Sequence, residues 1–447
     1  MDAIKVLVLS EGPPPVGEMP VEGGGLRAWG LAKSLSNSSI STTYAYRASF
    51  PKITASDLKN TDPEVTQWHP DHIEELTRQF THIIIRYSMG EMKLFMNALR
   101  DNQILIADCY IPISVEFSAR EVANTSLETK NYQNESYWWE QCAKRADYFL
   151  YASDQQLSYY LGYLSGILKL NPTTYKSLKA RLIKLPYGYF QKDIAKEVNQ
   201  PENPSLVWYG AIYPWFNMKP VVEAAKLLKK EYPNFKMIIA GAKNPYTSNK
   251  DFLSHYAGSM ELIKEIEHFT EIIGHTPYSE RFNIYAKGST IITINKDGLE
   301  NNLAWRTRLA DYIAARKPII TNGGDPLGEK AIEAGIAERI ADISSSESIQ
   351  HAFKKSLKIN ISDKNQLVGE LTWENNIHKL INILSESTRL SPETINISAT
   401  KPKLRLTPSK LSEIKSYSKL VIKEQGIATL FKKALLKPFK LAFKKLS

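Results

Sequence analysis

The chain has 447 residues, of which 43% are hydrophobic and 23% charged, a balance typical of soluble globular proteins. Because one core rarely grows beyond about 250–300 residues, this length predicts two domains. With only two cysteines, the chain has neither a disulfide scaffold nor a CxxC-type metal site. It contains no apolar run of about 18 residues, so no transmembrane helix is predicted.

The net charge of +10 comes from the end of the chain. Residues 401–447 hold 13 Lys/Arg and 2 Asp/Glu, whereas the first 400 residues hold 44 and 45. The body therefore lacks the overall basic charge that is typical of nucleic-acid-binding proteins. The few cysteines fit a reducing, cytoplasmic compartment, and the opening "MDAIKVLVLS" is interpreted as a first strand rather than a signal peptide.

In the first half, short apolar segments alternate with amphipathic ones. The pattern predicts a helix at 26–35 and strands at 4–10, 40–46, 82–87, 104–108, 148–153 and 180–188. Strands that alternate with helices imply a parallel sheet covered on both faces.

A polar, proline-bearing stretch at 195–205 predicts a linker. The next strands are predicted at 206–212, 235–241, 289–295 and 317–324, with helices at 219–231, 251–266 and 304–315. We therefore predict an α/β protein with two Rossmann-like domains, 1–195 and 205–360, that face each other across a cleft. Closing helices at 361–390 and a connector with a basic helical tail at 391–447 complete the prediction.

Ligands of such sheets bind beyond the carboxyl ends of the strands, so residues that follow strands are the candidates. "EGGGLRAWG" (22–30) follows the first strand and opens a helix. Gly23, Gly24 and Gly25 allow the backbone to approach a ligand closely, and a helix N-terminus favours an anion or a sugar hydroxyl. The spacing is not GxGxxG, so the dinucleotide fingerprint is absent. A plain flexible loop is the alternative.

Two carboxylates follow the strand at 104–108. Asp108 ends that strand, and Glu116 comes shortly after a proline turn. Asp108 is interpreted as a cleft carboxylate that orients an acceptor hydroxyl. A helix cap or turn former is the alternative for Asp108, and a solvated helix face is the alternative for Glu116.

The second half offers cations beside predicted strand ends. Lys219 stands near the start of a helix, where a cation and the helix N-terminus suit a diphosphate; an ordinary surface lysine is the alternative. In "LENNLAWRTRLADYIAARKPIITNGGD" (299–325), Arg308 and Asp311 are spaced i, i+3. They either form an ion pair on the helix surface or hold the phosphate and the ribose of a nucleotide. The eight histidines form no HxH or HxxxH pair, so no metal site is predicted.

Seven motifs, in order over roughly residues 1–345, resemble those of family-4 retaining glycosyltransferases of the GT-B fold, in particular a bacterial branch found in surface-polysaccharide clusters. The motifs are "GGGLRAWGLAKSL", "ADCYIPISVE", "ADYFLYASDQQLSYYLGYL", "LPYGYF", "WYGAIYPWFNMKPVVEAAKLL", "TPYSERFNIY" and "ENNLAWRTRLADYIAARKPIITNGGD".

The resemblance implies a role for each matching residue. Gly23 to Gly25 would lie against the donor phosphates, Lys219 would bind phosphate, and Glu300 matches an acidic residue of the branch. Asp311 would take the place of the last acidic residue of the E-x7-E motif, which contacts the donor ribose. Catalysis is assigned to Asp108, Lys219 and Arg308. The assigned donor-binding residues are Gly23, Gly24, Gly25, Glu300, Arg306, Asp311, Gly323 and Gly324, and Arg27 and Glu116 are assigned to the acceptor side.

The sequence departs from the family pattern at several places, and two of them concern residues that are expected to contact the donor. Leu303 stands eight residues before Asp311, where the first glutamate of E-x7-E is expected. Ala211 and Ile212 stand where a phosphate-binding arginine is expected soon after Tyr-Gly. Arg306 or Arg308 is the candidate replacement for that arginine.

The implied activity is transfer of a sugar from a nucleotide-sugar to a saccharide or lipid-linked acceptor, in cell-surface polysaccharide or glycan synthesis. The anomeric configuration would be retained, with no metal or other cofactor. Two alternatives stay open: a non-catalytic GT-B scaffold of a polysaccharide assembly complex, which the altered E-x7-E motif favours, and a sugar-nucleotide epimerase of the same fold.

The tail at 411–447 carries apolar residues at helical spacing, with Lys432, Lys433 and Lys437 among them. A basic amphipathic segment of this kind predicts binding to an anionic membrane surface. A disordered tail or a nucleic-acid arm is the alternative. We therefore expect a cytoplasmic protein, peripheral on the inner face of the membrane, with no nucleic-acid partner.

Overall fold

A computed structural model describes residues 3–58, 61–86, 91–119, 125–168, 170, 172–196, 200–247, 250–361 and 365–386. The predicted connector and basic tail at 391–447 lie outside the described residues. No described helix is both long enough and apolar enough to cross a membrane.

The first sheet is parallel throughout, with strand order β3-β2-β1-β4-β5-β6-β7. Its strands are β1 (Lys5–Ser10), β2 (Ser41–Arg47), β3 (Glu64–Trp68), β4 (His82–Arg86), β5 (Ile104–Asp108), β6 (Tyr148–Tyr151) and β7 (Leu182–Lys184). Each strand predicted for this half overlaps an observed one. β3 escapes the apolar pattern because three of its five residues are polar and it forms one edge of the sheet.

The second sheet is also parallel, with strand order β10-β9-β8-β11-β12-β13. Its strands are β8 (Ser205–Tyr209), β9 (Lys236–Ala240), β10 (Thr270–Ile273), β11 (Thr290–Thr293), β12 (Ile319–Thr321) and β13 (Ala337–Arg339). The unpredicted strands, β10 and β13, are its two edges. Both are short and partly exposed, so they need no continuous apolar run.

Helices connect the strands and cover both sheets. They are α1 (Gly23–Asn37), α2 (Ala55–Leu58), α3 (Ile73–Thr77), α4 (Met92–Ala98), α5 (Ile113–Ala119), α6 (Thr125–Arg145), α7 (Asp154–Leu168), α8 (Pro172–Arg181), α9 (Met218–Glu231), α10 (Lys250–Lys264), α11 (Arg281–Ala286), α12 (Leu299–Leu303), α13 (Thr307–Ala314), α14 (Pro326–Glu333), α15 (Ser346–Ser356), α16 (Asn365–Glu370), α17 (Trp373–Asn376) and α18 (His378–Glu386). In α9, buried Val221, Ala224, Ala225 and Leu228 recur at helical spacing and face the core.

Alternate residues of β1 belong to different apolar clusters. Val6 and Val8 pack on one face of the sheet, whereas Leu7 and Leu9 pack on the other, and all four are fully buried. This two-residue period is expected of a strand covered on both faces.

The last described helices return to the first sheet. The Trp373 indole packs against Gly30 of α1 and makes an edge contact with Tyr187, at 5.8 Å between ring centres. Thr372 pairs with Tyr189 in an isolated bridge. The chain therefore crosses from the second sheet back to the first before residue 386. The division into separate domains at 1–195 and 205–360 stays a prediction.

Candidate functional site: two facing strand edges

β1 lies between β2 and β4, so the direction of strand succession reverses between β1 and β4. In open α/β sheets, ligands bind at this point, beyond the carboxyl ends of the strands. Ser10, Arg86 and Asp108 end β1, β4 and β5 at this edge. The same reversal occurs in the second sheet between β8 and β11.

The structure brings two predicted residues of the first domain together. Arg27 donates from Nε and Nη2 to the two carboxylate oxygens of Asp108, at 3.1 and 3.0 Å. Arg27 is 1% exposed and Asp108 is 4% exposed. The guanidinium lies 5.6 Å from the Tyr110 ring centre and 5.5 Å from that of Trp373. A bidentate, charge-assisted pair of this kind fixes the position of both groups.

Gly23, Gly24 and Gly25 form the first turn of α1 rather than a flexible loop. This helix has no side-chain cap and no acidic residue in its first turn, so its N-terminal N–H groups are available to an anion. A Cβ added at Gly23 would lie 3.1 Å from Thr307 Oγ1 of the second domain. The glycines therefore allow the two domains to approach closely at this helix end.

Arg86 was not a predicted site residue. Its Nη1 lies 3.5 Å from Glu11, and its Nη2 lies 3.7 Å from the predicted acceptor-side residue Glu116. A Cβ at Gly24 would lie 2.8 Å from Arg86 Nη1, so the guanidinium sits at the start of α1. The rule that functional residues follow strands would have found Arg86, since it ends β4.

Arg308 lies against the loop that follows β8. Its Nη2 donates to the carbonyl oxygen of Ala211 at 3.1 Å, and its guanidinium packs near the rings of Trp208 and Phe216. Gly210 has φ +99°, and a Cβ there would meet Arg308 Nη2 at 2.6 Å. The guanidinium thus occupies the place just after Tyr-Gly where the resemblance expects an arginine.

Asp311 does not pair with Arg308. It is 3% exposed and accepts hydrogen bonds from Tyr278 Oη at 2.9 and 3.2 Å, with Arg281 Nε 3.5 Å away. Burial raises the pKa of Asp311, although Arg281 and Tyr278 oppose that shift. Arg281 also lies 3.8 Å from Asp193, which follows the first sheet. Contact of Asp311 with a ribose stays a prediction.

Glu300 and Arg306 form a second bidentate pair, at 3.0 and 2.7 Å. The neighbouring Asn301 donates to the carbonyl oxygen of Gly323 at 2.9 Å. Gly323 and Gly324 both have positive φ, 69° and 81°, a conformation that side chains rarely adopt. The turn after β12 is thereby tied to the helix that carries Glu300.

Lys219 lies in the first turn of α9 and is exposed. Asn217 caps this helix, because its side-chain oxygen accepts from Lys219 N at 3.2 Å. The ammonium group is therefore carried at the positive end of a helix dipole, next to the loop that holds Arg308.

The two edges meet across the cleft. Tyr110 Oη donates to the carbonyl oxygen of Trp305 at 2.9 Å, and Asn244 Nδ2 donates to Glu22 at 2.7 Å. Tyr246 Oη donates to the carbonyl oxygen of Pro20 at 2.7 Å. In the described part of the chain, no three His, Cys, Asp or Glu side chains come close enough to hold a metal ion. The expectation of a metal-free site stays a prediction.

No protein-family model matches the chain, and a search of curated proteins finds no match. Solved structures do resemble it. Sucrose-phosphate synthase from Thermosynechococcus elongatus matches with a TM-score of 0.58 and 13% identity, over 86% of this chain and 98% of that one. An alpha-glucosyltransferase in complex with UDP and DNA matches with a TM-score of 0.57 and 11% identity, over 86% of this chain and 100% of that one.

A putative UDP-N-acetylglucosamine 2-epimerase from Listeria monocytogenes also matches, with a TM-score of 0.53 and 12% identity, over 87% of this chain and 98% of that one. Transferases and an epimerase therefore share this architecture, and the likeness shows the fold alone. The two parallel sheets and their facing edges confirm the predicted fold class: the chain has the GT-B fold.

Proposed function

We propose that this protein transfers a sugar from a nucleotide-sugar donor to a saccharide or lipid-linked acceptor. The observation that carries the proposal is the position of Arg308. Its guanidinium lies over Gly210 at the carboxyl end of β8, at the reversal point of the second sheet. The uncapped start of α1 faces this region across the cleft, where Gly23 approaches Thr307. Cations on one side and free N–H groups on the other suit a diphosphate.

In this proposal, Arg308 and Lys219 stabilise the negative charge that develops on the leaving diphosphate. Electrostatic stabilisation of developing charge is usually the largest single contribution to catalysis. Arg306 lies on the same segment, but it is held by Glu300 at 2.7 Å. We therefore assign the place of the missing phosphate arginine to Arg308 and give Arg306 a supporting role beside the Gly323–Gly324 turn.

On the acceptor side, Asp108 orients the attacking hydroxyl, and Arg27 holds Asp108 in place. The cross-cleft contacts from Tyr110, Asn244 and Tyr246 support a closed arrangement of the two edges. Closure would exclude water and so limit hydrolysis of the donor. Asp311 is kept as the ribose ligand on the strength of the motif alone.

The finer parts of the proposal rest on the sequence resemblance. They are retention of the anomeric configuration, independence of a metal, and a role in cell-surface polysaccharide or glycan synthesis. The UDP held by the solved alpha-glucosyltransferase supports a nucleoside diphosphate as the donor's leaving group. A sugar-nucleotide epimerase is the second candidate, because the Listeria epimerase has the same fold.

Thermal shift of the full chain with UDP, GDP, dTDP and their sugars tests the proposal. We expect one nucleotide series to raise the melting temperature, since a ligand that binds the folded state stabilises it. Product analysis with the best donor then separates the candidates: a new glycoside supports transfer, and an epimerised nucleotide-sugar supports the epimerase. Binding without either product favours a scaffold, and no binding by any nucleotide rejects both enzymatic functions.

We also propose that residues 411–447 hold the protein on an anionic membrane surface. The support is the basic amphipathic pattern of this segment. Sedimentation of the full chain with anionic and neutral liposomes is the test, together with a chain in which Lys432, Lys433 and Lys437 are changed to Gln. The parent should sediment only with anionic liposomes and the variant less. Equal sedimentation of the two chains would remove this proposal.

A further inference from the structure

The short segment between α12 and α13 connects the helix that carries Glu300 with the helix that carries Arg308. Ala304 and Arg306 are extended, with ψ of 141° and 105°, so the chain leaves one helix before it begins the next. Leu303 and Trp305 are nevertheless buried. Buried main-chain oxygens outside a helix need other hydrogen-bond partners, and these partners decide where the segment lies.

Three hydrogen bonds join this segment to the first domain. Gln156 Nε2 donates to the carbonyl oxygen of Leu303 at 2.8 Å, and Tyr110 Oη donates to that of Trp305 at 2.9 Å. In the opposite direction, Trp305 Nε1 donates to the carbonyl oxygen of Tyr187 at 2.9 Å. All five residues are buried, so the bonds lie away from bulk water. We call Tyr110, Gln156 and Tyr187 the first-domain clamp.

The clamp is itself fixed within the first domain. Gln156 Nε2 also donates to the carbonyl oxygen of Tyr110 at 2.9 Å, and its Oε1 accepts from Ala152 N at 2.7 Å. Both polar atoms of the side-chain amide are therefore engaged, which leaves Gln156 one orientation. The position of the Leu303 carbonyl is thus dictated by the first domain.

The clamp gives a physical reason for one departure from the family pattern. Leu303 stands where the resemblance expects the first glutamate of E-x7-E. Here the Leu303 side chain is buried, and its carbonyl oxygen is bound by Gln156. A glutamate would place a charge in that buried position, at a considerable cost in free energy. Leucine at this position therefore favours contact between the domains over contact with a sugar.

Arg308 follows this segment directly, in the first turn of α13. Its guanidinium is supported by the second domain, because it lies over Gly210 and donates to the carbonyl oxygen of Ala211. The main chain that leads into α13 is instead held by the first domain, through Leu303 and Trp305. The position of Arg308 therefore depends on both domains.

We propose that Tyr110 and Gln156 are positioning residues for Arg308. Through the 303–305 segment, they hold the start of α13 where the guanidinium meets the diphosphate of the donor. The inference rests on the proposed function and adds to it two residues of the first domain. Neither side chain has to touch the nucleotide in this role.

Calorimetric titration of the full chain with UDP, GDP and dTDP is the test. Tyr110→Phe removes one hydrogen bond with almost no change in volume, and Gln156→Leu removes the whole amide. Each change lowers the population of chains that hold Arg308 in position, and the apparent dissociation constant rises in inverse proportion. For the nucleotide that binds most tightly, we expect a rise of about threefold in Tyr110→Phe and about tenfold in Gln156→Leu.

Two buried residues provide matched controls. Tyr189 Oη donates to the carbonyl oxygen of Val368 at 2.7 Å, and Gln103 Nε2 donates to two carbonyl oxygens of the first domain, at 2.6 and 2.9 Å. Neither side chain bonds to the 303–305 segment. Tyr189→Phe and Gln103→Leu should therefore lose stability to a similar extent as the clamp variants but keep the nucleotide affinity of the parent chain.

Two further measurements separate positioning from a purely structural role. In an Arg308→Ala background, Tyr110→Phe should cause no additional loss of affinity, because the group that it positions is gone. Without nucleotide, the main-chain amides of residues 303–307 should exchange hydrogen faster in Tyr110→Phe and Gln156→Leu than in the two control variants.

Unchanged affinity in both clamp variants, or an equal loss in the controls, would overturn the inference. A loss that adds fully to that of Arg308→Ala would also overturn it, because Tyr110 would then act on the nucleotide by another route. If Gln156→Leu does not fold, Tyr110→Phe decides the result. If the parent chain binds none of the three nucleotides, the proposed function fails and this inference fails with it, whereas binding that is insensitive to the clamp rejects the inference alone.

Discussion

The two strand edges of this molecule have the same reversal of strand order, but Arg308 on the second edge is held differently from the arginines on the first. In the first sheet, the edge is rich in carboxylates, and its arginines are engaged by Asp108, Glu11 and Glu116. In the second sheet, Arg308 donates to a carbonyl oxygen, and its charge is therefore not neutralised by that partner. The fold supplies two equivalent places for a ligand, and the side chains decide which ligand each place suits.

Because the arginines of the two edges have different partners, we expect those of the first edge to support the stability of the fold and Arg308 to support nucleotide binding. A cation that is tied to a carboxylate in the interior supports the fold, and removing its partner leaves a buried charge. A cation that contacts only backbone oxygen and aromatic rings is available to an incoming anion. Variants of the two edges should therefore fail in different ways.

The largest expected effect is that of Asp108→Asn. Arg27 is 1% exposed, so loss of the carboxylate leaves its guanidinium buried without a counter-charge. The free energy of unfolding should fall by about 3–5 kcal/mol, measured by denaturant titration. Glu261→Gln, which breaks the exposed ion pair with Lys264, should leave the free energy of unfolding almost unchanged. Equal small effects would mean that the buried pair does not hold the first domain together.

Arg308→Ala should weaken nucleotide binding while leaving stability nearly unchanged, the converse of Asp108→Asn. We expect the dissociation constant of the best nucleotide to rise about 10–100-fold, as for loss of a charge-assisted hydrogen bond, with little change in stability. Arg308→Lys should recover only part of the affinity, because an ammonium group cannot make the bidentate contact. Titration calorimetry measures all three chains, with Arg78→Ala, at an exposed pair in the first domain, as the control. Unchanged affinity in Arg308→Ala would reduce this residue to a packing role.

Two glycines of α1 sharpen the comparison within a single helix. A Cβ at Gly30 would lie 2.3 Å from the ring of Trp373, which is enclosed by the returning helices. Gly30→Ala should therefore cost about 1–3 kcal/mol of stability by overpacking. A Cβ at Gly24 would meet only the end of the Arg86 side chain, which can move. Gly24→Ala should leave the free energy of unfolding within about 1 kcal/mol of the parent value and instead lower the affinity for nucleotide. A large loss of stability in Gly24→Ala, or a loss of nucleotide affinity only in Gly30→Ala, would contradict this account.

The sequence predicts the fold well because its central strands are continuous apolar runs between helices. Strands such as Ile104–Asp108 are buried on both faces, and their sequences are therefore almost continuously apolar. The edge strands β3, β10 and β13 do not, because only part of each is buried. Their pairing depends on the neighbouring strand, which a local pattern cannot contain.

The site was less predictable because its contacts join distant parts of the chain. Arg27 and Asp108 lie in separate motifs, 81 residues apart, so nothing in the sequence indicates that they pair. Arg308 and Asp311 are three residues apart, a spacing that allows an ion pair as one of two interpretations, yet their side chains bond to different elements. Spacing along a helix predicts proximity, whereas burial and the neighbouring loops decide the partner.

The smallest expected effect concerns Lys219, and it tests whether position on a helix matters at the second edge. Lys219 is exposed at the first turn of α9, while Lys230 is exposed in its last turn. Both are exposed to solvent, so each contributes little to stability. Only Lys219 lies beside the Arg308 loop, at the end of the helix where a phosphate would also gain from the dipole.

Lys219→Ala should therefore weaken nucleotide binding a few-fold, equivalent to about 0.5–1 kcal/mol, and the loss should diminish in 0.5 M salt. Lys230→Ala, measured by the same calorimetry, should leave the affinity unchanged. If both variants lose the same affinity, the nucleotide interacts with the overall charge of the second domain rather than with Lys219 in particular. A loss confined to Lys219 would instead locate the phosphates at the carboxyl end of β8, where Arg308 lies.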